Sequence, residues 1–425
     1  MPAYVILGNS AAGLTAIDAI RERDRDGPIT VVSREPEPAY SRVALPYVLS
    51  REKQVPQITL QGPEYYEANR VELIAGVGAS AVDPKAKTVT LEDGRRLQYD
   101  RLLIATGSAS RVPPVRGIED ADVCYHWTLA DTRKIEAKLN GARSCFVIGA
   151  GFISLLTVSA LIKVAGLKFT VVEIADQVMP QLLDPEGGRA LEKAMREKGI
   201  DVLLGEQVAG IERAGAGYGV TLKGGRTIEA GMIVCGAGVR PNVDFLAGPG
   251  PSTGSGQAIE VARGVLVNER QETSAPDVFA AGDCAEGFDF LSGERAVHAI
   301  WPTAIDQGRV AGANMAGGSQ TYPGSLSWNV TELFGLASAS VGEFRERDGC
   351  EPIVFHNPSA NVYRKLLLED GRIVGAVVIG RAEHVQDLGV VQAMIRRRTD
   401  VSRWRHMLHG ERINYGMLAF ESAKR

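Results

Sequence analysis

The sequence predicts an α/β protein in which two halves of similar organisation are followed by a small α+β domain. Two apolar segments, YVILGNSAAG over 4–13 and CFVIGAGFIS over 145–154, each run into a glycine-rich turn and then a helical pattern. A strand, a glycine-rich turn and a helix in this order are typical of a Rossmann-type dinucleotide-binding fold. Because the pattern occurs twice, we predict two such domains, each with three layers (ββα). From about residue 323 strands such as 365–368 and 373–379 indicate the third domain.

In the first half the predicted elements form a βαβ unit. Apolar residues recur at helical spacing between 14 and 20, and Gly27-Pro28 ends this helix. The apolar run 29–32 is the next strand, which we expect to lie parallel to the first after a right-handed crossover. Residues 71–104 predict a β-meander that ends in a buried strand.

In the second half the same order of elements returns from residue 144. After the second turn and its helix we predict strand 169–173, helix 185–198, strand 201–204, a second meander and a returning strand 233–236. Residues 248–257 (GPGPSTGSGQ) are of low complexity and predict a flexible loop. A final helix is predicted over 385–398.

The composition excludes several classes of protein. With 425 residues, 45% apolar and 23% charged, the chain is typical of a globular protein with several domains. A net charge of −4 gives no reason to expect binding to nucleic acid. We expect no secretory signal, because a strand follows Met1-Pro2 without a basic segment and an apolar h-region. We expect no membrane span, because no apolar run reaches the roughly 18–20 residues that a bilayer requires. The five cysteines are scattered without a C-x-x-C pair, which favours a cytoplasmic protein without a bound metal.

The two glycine-rich turns suit the pyrophosphate of a dinucleotide. Small residues let the backbone approach the phosphates, and the helix that follows offers N–H donors and the positive end of its dipole. The first turn has Gly8, Ser10 and Gly13, and the second has Gly149, Gly151 and Ser154. A protein that holds two dinucleotides is expected to pass electrons between them.

Two further motifs, YDRLLIATGS over 99–108 and TSAPDVFAAGDCAE over 273–286, resemble the pyridine-nucleotide:flavin oxidoreductase superfamily. The resemblance covers about residues 3–322 and implies FAD in the first domain and NAD(P)H in the second. It implies an FAD-binding domain of residues 1–116 and 240–322, an NAD-binding domain of 117–239, and a C-terminal interface domain of 323–425. The segment 363–380 resembles the terminal domain of the rubredoxin-reductase branch.

The resemblance implies a set of residues for each cofactor. For FAD the set comprises Gly8, Ser10, Ala11, Ala12, Gly13, Ser33, Arg34, Glu35, Arg42, Ala79, Ala105, Thr106, Gly107, Gly282, Asp283 and Trp301. For NAD it comprises Gly149, Gly151, Phe152, Ile153, Ser154, Glu173 and Gly236.

An acidic residue about 20–25 positions after each glycine turn is expected to bind the adenosine ribose hydroxyls. In the second domain this residue is Glu173, and residues 174–176 include no arginine for a 2′-phosphate, so NADH is expected rather than NADPH. In the first domain the strand is followed by Ser33, and Glu35 is the substitute, with a solvated Arg34-Glu35 pair as the alternative.

The segment 40–50 (YSRVALPYVLS) distinguishes branches of the superfamily. Thiol-dependent members carry a redox cysteine where this chain has Val43, and a valine cannot form a thiolate nucleophile. The segment instead resembles rubredoxin and ferredoxin reductases and the flavin part of nitrite reductases, in which an arginine, here Arg42, faces the FAD phosphates. Relatives often pair a Glu with a Lys beside flavin N5; here Leu156 and Tyr47 stand in those places.

Two aromatic residues are candidates for contacts with the reacting rings. Phe152 matches the aromatic that relatives move aside when nicotinamide enters. Trp301, within a segment (299–317) that resembles the rubredoxin-reductase branch, is a candidate contact for the flavin edge, with a core or interface tryptophan as the alternative.

These features together predict an oxidoreductase that moves hydride between NADH and FAD and then passes electrons to an external acceptor. We expect a ferredoxin- or rubredoxin-type protein or a larger redox complex as partner, and a homo-oligomer or a subunit of a complex. Two alternatives stay open. One is an NADH oxidase or a thiol or peroxide reductase, with Cys284 as its only plausible thiol; the other is a non-catalytic NADH-sensing flavoprotein.

Overall fold

The computed structural model describes residues 1–247 and 258–411, so the low-complexity segment 248–257 lies outside the described residues. The chain divides into two compact units. Unit 1 comprises residues 1–44, 53–109 and 239–326, and unit 2 comprises 45–52, 110–238 and the chain from 327 onward. The boundaries of the three predicted domains stay a prediction.

Unit 1 contains the first glycine-rich turn and the strands and helices around it. They are β1 Tyr4–Leu7, α1 Ala11–Arg21, β2 Ile29–Ser33, α3 Pro63–Ala68, β3 Val71–Ala75, β4 Ala79–Asp83, β5 Thr88–Leu91, β6 Arg96–Gln98, β7 Arg101–Ile104, β8 Ser108–Ser110, β16 Val239–Pro241, β17 Val265–Leu266, β18 Val278–Ala280, β19 Ala285–Phe288, β20 Arg295–Ala296 and α7 Trp301–Met315, with 3-10 turns at Arg42–Ala44, Val55–Gln57 and Asp244–Leu246.

Unit 1 is built around a parallel sheet with the strand order β18-β7-β1-β2-β3. The strand β1 is buried along its whole length, as expected for a central parallel strand that is covered on both faces. Tyr4 and Ile6 pack with α1 and α7, whereas Val5 and Leu7 pack with the meander β4-β5-β6. This alternation confirms the three-layer ββα arrangement.

Unit 2 contains the second Rossmann-type half and the C-terminal part of the chain. Its elements are α2 Leu45–Leu49, α4 Leu129–Leu139, β9 Ser144–Ile148, α5 Phe152–Ile162, β10 Lys168–Glu173, α6 Pro185–Glu197, β11 Asp201–Leu204, β12 Val208–Ala214, β13 Gly217–Leu222, β14 Thr227–Ala230, β15 Met232–Cys235, β21 Trp328–Leu333, β22 Leu336–Gly342, β23 Cys350–Asn357, β24 Val362–Glu369, β25 Arg372–Gly380, α8 Ala382–Val385 and α9 Leu388–Arg396, with a 3-10 helix at Ser402–His409.

The two sheets of unit 2 that matter most for the site share one hydrophobic core. The parallel sheet β11-β10-β9-β15 repeats the plan of unit 1, and the meander β12-β13-β14 follows it. The antiparallel sheet β21-β22-β25-β24-β23 is the predicted C-terminal sheet. Leu155 and Leu161 of α5 belong to the same buried cluster as Phe334 and Ile379. The C-terminal sheet is therefore packed directly against the helices of the second Rossmann-type half.

Two local predictions are corrected by the structure. Residues 71–75 do not belong to the meander, because Val71–Ala75 pairs in parallel with β2 and forms the edge of the main sheet. The helix predicted over 385–398 is shorter in the structure, where α9 covers Leu388–Arg396 with Asp387 at its N-cap position and the separate short helix α8 ends at Val385.

Candidate functional site

The turn after β1 and the first turn of α1 each have a position that admits only glycine. Gly8 has φ +128°, and a Cβ there would lie 2.0 Å from the carbonyl oxygen of Ala105. A Cβ on Gly13 would lie 2.1 Å from the carbonyl oxygen of Gly8. The helix then begins at Ala11, and its N-cap Ser10 makes no side-chain capping bond. The first-turn N–H groups, Ala12 included, have no helical acceptor and suit an anionic group.

The helix α7 is held against α1 by a second pair of glycines. A Cβ on Gly308 would lie 2.3 Å from the carbonyl oxygen of Ala12, and a Cβ on Gly312 would lie 2.4 Å from that of Ala16. Sequence reasoning identified the segment 299–317 but missed this function of its G-x-x-x-G spacing. Trp301 is the first residue of α7, is half-buried, and packs against the same core as α1.

The Thr106-Gly107 turn follows β7, which pairs with β1, and it is held by hydrogen bonds that the sequence did not reveal. The Thr106 hydroxyl donates to the carbonyl of Asn242 at 2.7 Å, and the Asn242 amide donates to the carbonyl of Thr106 at 3.0 Å. The Asn242 N–H also donates to the carbonyl of Gly107, which has φ +66°. Asn242 therefore fixes the conformation of this turn from 136 residues further along the chain.

Asp283 lies after β18 with its carboxylate held by one hydroxyl. Ser108 donates to Oδ2 of Asp283 at 2.6 Å. Burial raises the pKa of the Asp283 carboxyl, while the Ser108 hydrogen bond and the charge of Arg42 act in the opposite direction. The preceding Gly282 has φ +79°, and its N–H donates to the buried side chain of Gln307.

The residues after β2 form a cluster of their own. Ser33 is buried and donates to the carbonyl of Glu35 at 2.9 Å. The Glu35 carboxylate accepts from the Tyr40 hydroxyl at 2.5 Å and forms an ion pair with Arg42. Arg34 instead pairs with Glu92 at 2.9 Å on the surface. Glu35 and Arg42, predicted for different parts of FAD, therefore contact each other.

Residues 8–13 also carry a polar group that is suited to a ligand. Asn9 accepts from the Tyr66 hydroxyl at 2.8 Å, which orients its amide, and its Nδ2 is buried with no partner among the described residues. A buried donor without a partner costs free energy unless a ligand supplies an acceptor. Ala79 is buried at the start of β4, and Ala105 is half-buried at the end of β7. This donor and the glycine cradle fit the pyrophosphate of a dinucleotide.

The second turn repeats the arrangement between β9 and α5. Gly149 has φ +92°, and a Cβ there would lie 2.8 Å from the carbonyl oxygen of Gly236. A Cβ on Gly236 would in turn lie 2.1 Å from Oγ of Ser154, which is buried. Gly151 is the N-cap of α5 and makes no side-chain cap. The structure thus brings four predicted residues together at one helix N-terminus.

Glu173 at the end of β10 is anchored to this second turn. Its carboxylate accepts from the N–H of Ala150 at 2.7 Å and from the N–H of Ala175 at 3.0 Å. Each oxygen keeps a further acceptor site, so a ribose hydroxyl can still donate to it. The neighbouring Ile174 is exposed, and residues 174–176 offer no arginine.

The first turns of α5 carry the remaining predicted residues. Phe152 and Ile153 are half-buried, and Leu156 packs against the core of unit 2. The short helix α2 packs on α5, where Glu52 forms an ion pair with Lys163 at 2.7 Å. Tyr47 of α2, which stands where relatives often carry a lysine, is exposed.

Below α5 lies a buried histidine that sequence reasoning did not identify. His126 contacts the Thr157 hydroxyl at 2.8 Å through Nδ1, and Thr157 donates to the carbonyl of Ile153. Burial lowers the pKa of His126 to about 4, so the ring is neutral in the folded protein.

This histidine should make stability depend on pH. An unfolded histidine takes up a proton near pH 6.5, whereas folded His126 does so only near its lowered pKa, so stability is lost as pH falls through this range. We expect His126 to lower the free energy of unfolding by about 2 kcal/mol between pH 8 and pH 5. Urea denaturation at both pH values should show this loss in the native chain and not in His126→Gln. The exposed His406→Gln is the matched control; an equal pH dependence in all three proteins would contradict the prediction.

The thiols are poorly suited to redox chemistry. Cys284, next to Asp283, is fully buried, with Sγ 3.3 Å from the carbonyl of Ile104 and 3.4 Å from that of Ala281. Burial raises the pKa of all five cysteine thiols, including the half-buried Cys350. Since the thiolate is the reactive form, these environments disfavour a thiol mechanism.

Within residues 1–247 and 258–411, no His, Cys, Asp and Glu side chains come together in a group that could hold a metal ion. No helix in the same residues is long and apolar enough to cross a membrane.

Comparison with known proteins defines the class. Residues 2–308 match the model of the pyridine nucleotide-disulphide oxidoreductase family, and residues 329–396 match the rubredoxin NAD+ reductase C-terminal domain. The chain belongs to this family. It is an NAD(P)H-dependent flavin oxidoreductase with FAD and NADH as cofactors, which confirms the predicted class, fold and cofactors.

Particular relatives agree with this class. The chain is 34% identical to the epsilon subunit of an NADH-dependent phenylglyoxylate dehydrogenase from Aromatoleum evansii, over 94% of this chain and 92% of the relative. It is 32% identical to an NADH oxidase from Methanocaldococcus jannaschii, over 88% and 87%. It is 30% identical to the ferredoxin–NAD(+) reductase component of an anthranilate 1,2-dioxygenase system from Burkholderia cepacia, over 92% and 93%. The solved structure of an NAD-dependent persulfide reductase from A. fulgidus aligns with a TM-score of 0.84 at 28% identity, over 94% of this chain and 78% of that one.

Proposed function

We propose that this protein takes hydride from NADH onto FAD and delivers the electrons to an external iron–sulfur protein of ferredoxin or rubredoxin type. The observation that carries the proposal is the pairing of two glycine-built nucleotide turns with thiols that are all buried or raised in pKa. Val43 stands where thiol-dependent relatives carry their cysteine and is exposed. Electrons that reach the flavin therefore have no thiol route inside the described chain.

The chain's own residues bind and orient the two dinucleotides. We propose that the N–H groups at 11–13, the Asn9 amide and the 106–107 turn hold FAD, and that Asp283 accepts from a hydroxyl of its ribityl chain. When bound, the flavin accepts a hydride and releases electrons singly, which is the chemistry that the acceptor requires. Gly149, Gly151 and Glu173 are proposed to fix the nucleotide half of NADH so that its nicotinamide is aligned.

Glu173 favours NADH over NADPH in this proposal. A 2′-phosphate would place negative charge beside a buried carboxylate, and residues 174–176 supply no cation. Anaerobic stopped-flow reduction with each nucleotide tests this: we expect NADH to reduce the flavin at least tenfold faster at equal low concentration. Equal rates would overturn the preference.

An iron–sulfur partner is supported by the relative that is a ferredoxin–NAD(+) reductase component and by the rubredoxin-reductase-type C-terminal domain. The epsilon-subunit relative supports a place in a larger complex as an alternative to a homo-oligomer. A screen of the reduced enzyme against ferredoxins, rubredoxins and dioxygen tests the acceptor. Negligible rates with every iron–sulfur protein would overturn the proposal of an iron–sulfur acceptor. We place the protein in the cytoplasm, where its five free cysteines would stay reduced.

The NADH oxidase relative favours direct reaction with dioxygen as the second candidate function. In the acceptor screen this function predicts fast turnover with dioxygen and no gain from added iron–sulfur protein.

A thiol-dependent version of the second candidate makes a separate prediction for Cys284. We expect Cys284→Ser to keep kcat within about twofold of the native enzyme, because a fully buried thiol with a raised pKa does not act as a nucleophile. Steady-state turnover with the best acceptor is the measurement, and Cys235→Ser is a matched buried control. A loss of turnover in Cys284→Ser alone would favour the thiol mechanism.

A further inference from the structure

The loop that follows Glu173 is attached at its middle to the second nucleotide turn. Within this 174–184 loop, the N–H of Met179 donates to the carbonyl of Ala150 at 2.9 Å. Met179 is buried with φ +48°, an unfavourable conformation for a non-glycine residue that its surroundings must maintain. Since Glu173 binds the N–H of the same Ala150, the loop and the turn are held in one geometry.

The far end of the 174–184 loop is attached to the C-terminal sheet. Asp184 accepts from the Tyr363 hydroxyl at 2.6 Å and pairs with Lys365 at 2.6 Å, and both partners belong to β24. Asp184 and Lys365 are 5% and 4% exposed, so the pair is screened little by water. The second carboxylate oxygen of Asp184 accepts from the N–H of Gly187 and caps α6.

A third attachment comes from the connection between β22 and β23. Arg345 is exposed, and its Nη2 donates to the carbonyl of Pro180 at 3.1 Å, in the centre of the loop. The neighbouring Arg347 also lies on the surface, but it pairs with Glu369 at 2.8 Å instead.

We propose that the C-terminal sheet is a positioning element for the adenosine half of NADH, through Arg345, Tyr363 and Lys365. These residues hold the 174–184 loop in the conformation that keeps Glu173 and the 149–151 turn aligned with the nucleotide. This inference rests on the proposed function, because it requires that the second turn binds NADH. It gives the C-terminal domain a function in nucleotide affinity.

The test uses ADP, which carries only the adenosine diphosphate half of NADH, as the probe. Its dissociation constant is measured by calorimetry on the purified, FAD-loaded full chain. We expect Arg345→Ala to raise the ADP dissociation constant and the KM for NADH by about threefold to tenfold, the value of one lost hydrogen bond, with kcat at saturating NADH unchanged. The values for Arg345→Lys should lie between those of the native protein and those of Arg345→Ala. Tyr363→Phe should also raise the ADP dissociation constant and the KM for NADH.

Arg347→Ala is the control, since it removes a neighbouring surface arginine and leaves the loop contacts in place. Native ADP affinity in both Arg345→Ala and Tyr363→Phe would overturn the inference while leaving the proposed function intact. Failure of the native protein itself to bind ADP or NADH would overturn the proposed nucleotide site, and the inference with it.

Discussion

Replacing Lys365 with alanine should lower the free energy of unfolding by about 3–5 kcal/mol, because it leaves the Asp184 carboxylate buried without its counter-ion. The Tyr363 hydroxyl and the Gly187 N–H remain as donors, but neither carries a charge. Urea denaturation at pH 7 is the measurement. Lys193→Ala, on the exposed face of α6, is the matched control and should change stability by less than about 0.5 kcal/mol.

The double variant Asp184→Asn with Lys365→Met tests whether the lost stability comes from the unpaired charge of Asp184. It removes both charges and keeps an oxygen at the α6 N-cap, so we expect it to recover most of the stability that Lys365→Ala loses. If Lys365→Ala lowered the free energy of unfolding no more than Lys193→Ala does, the prediction that the buried pair stabilises the fold would be contradicted.

The second large effect is expected at the first nucleotide turn. In Gly8→Ala the new methyl group would lie 2.0 Å from the Ala105 carbonyl oxygen, a distance at which the backbone must move. We expect the purified variant to lose its bound FAD, with an affinity at least about a hundredfold lower, since displaced N–H groups no longer meet the phosphates. Flavin absorbance of the purified protein and fluorescence titration with FAD are the measurements.

Gly94→Ala is the control for this variant. Gly94 also has positive φ (+87°), but nothing lies within 4 Å of a Cβ built there. It should lose only the roughly 1 kcal/mol that a left-handed alanine costs and should keep FAD. Retention of FAD by both variants would contradict the assignment of the first turn.

The fold was predictable from the sequence where local patterns determine it. Each of the two glycine turns belongs to a motif of about ten residues, so its pattern is visible locally in the sequence. The structure explains the glycines by contacts that forbid a side chain at Gly8 and Gly149. The apolar runs predicted the central parallel strands for the same reason, since a strand covered on both faces must be apolar throughout.

The parts that the sequence did not reveal depend on contacts between distant segments. Asn242 reaches Thr106 across 136 residues, and Tyr363 reaches Asp184 across 179. Neither an isolated asparagine nor a tyrosine within an apolar strand indicates a partner so far away. The pairing of Glu35 with Arg42 is nearer in sequence, but it depends on the path of the chain through Tyr40, which no periodicity predicts.

The central claim is that electrons leave the flavin without passing through a thiol. Anaerobic titration with NADH, followed by flavin absorbance, counts the electrons that the protein accepts before excess NADH accumulates. We predict one NADH, or two electrons, per bound FAD. Uptake of two NADH per FAD would reveal a second redox centre such as a disulfide and would contradict the claim.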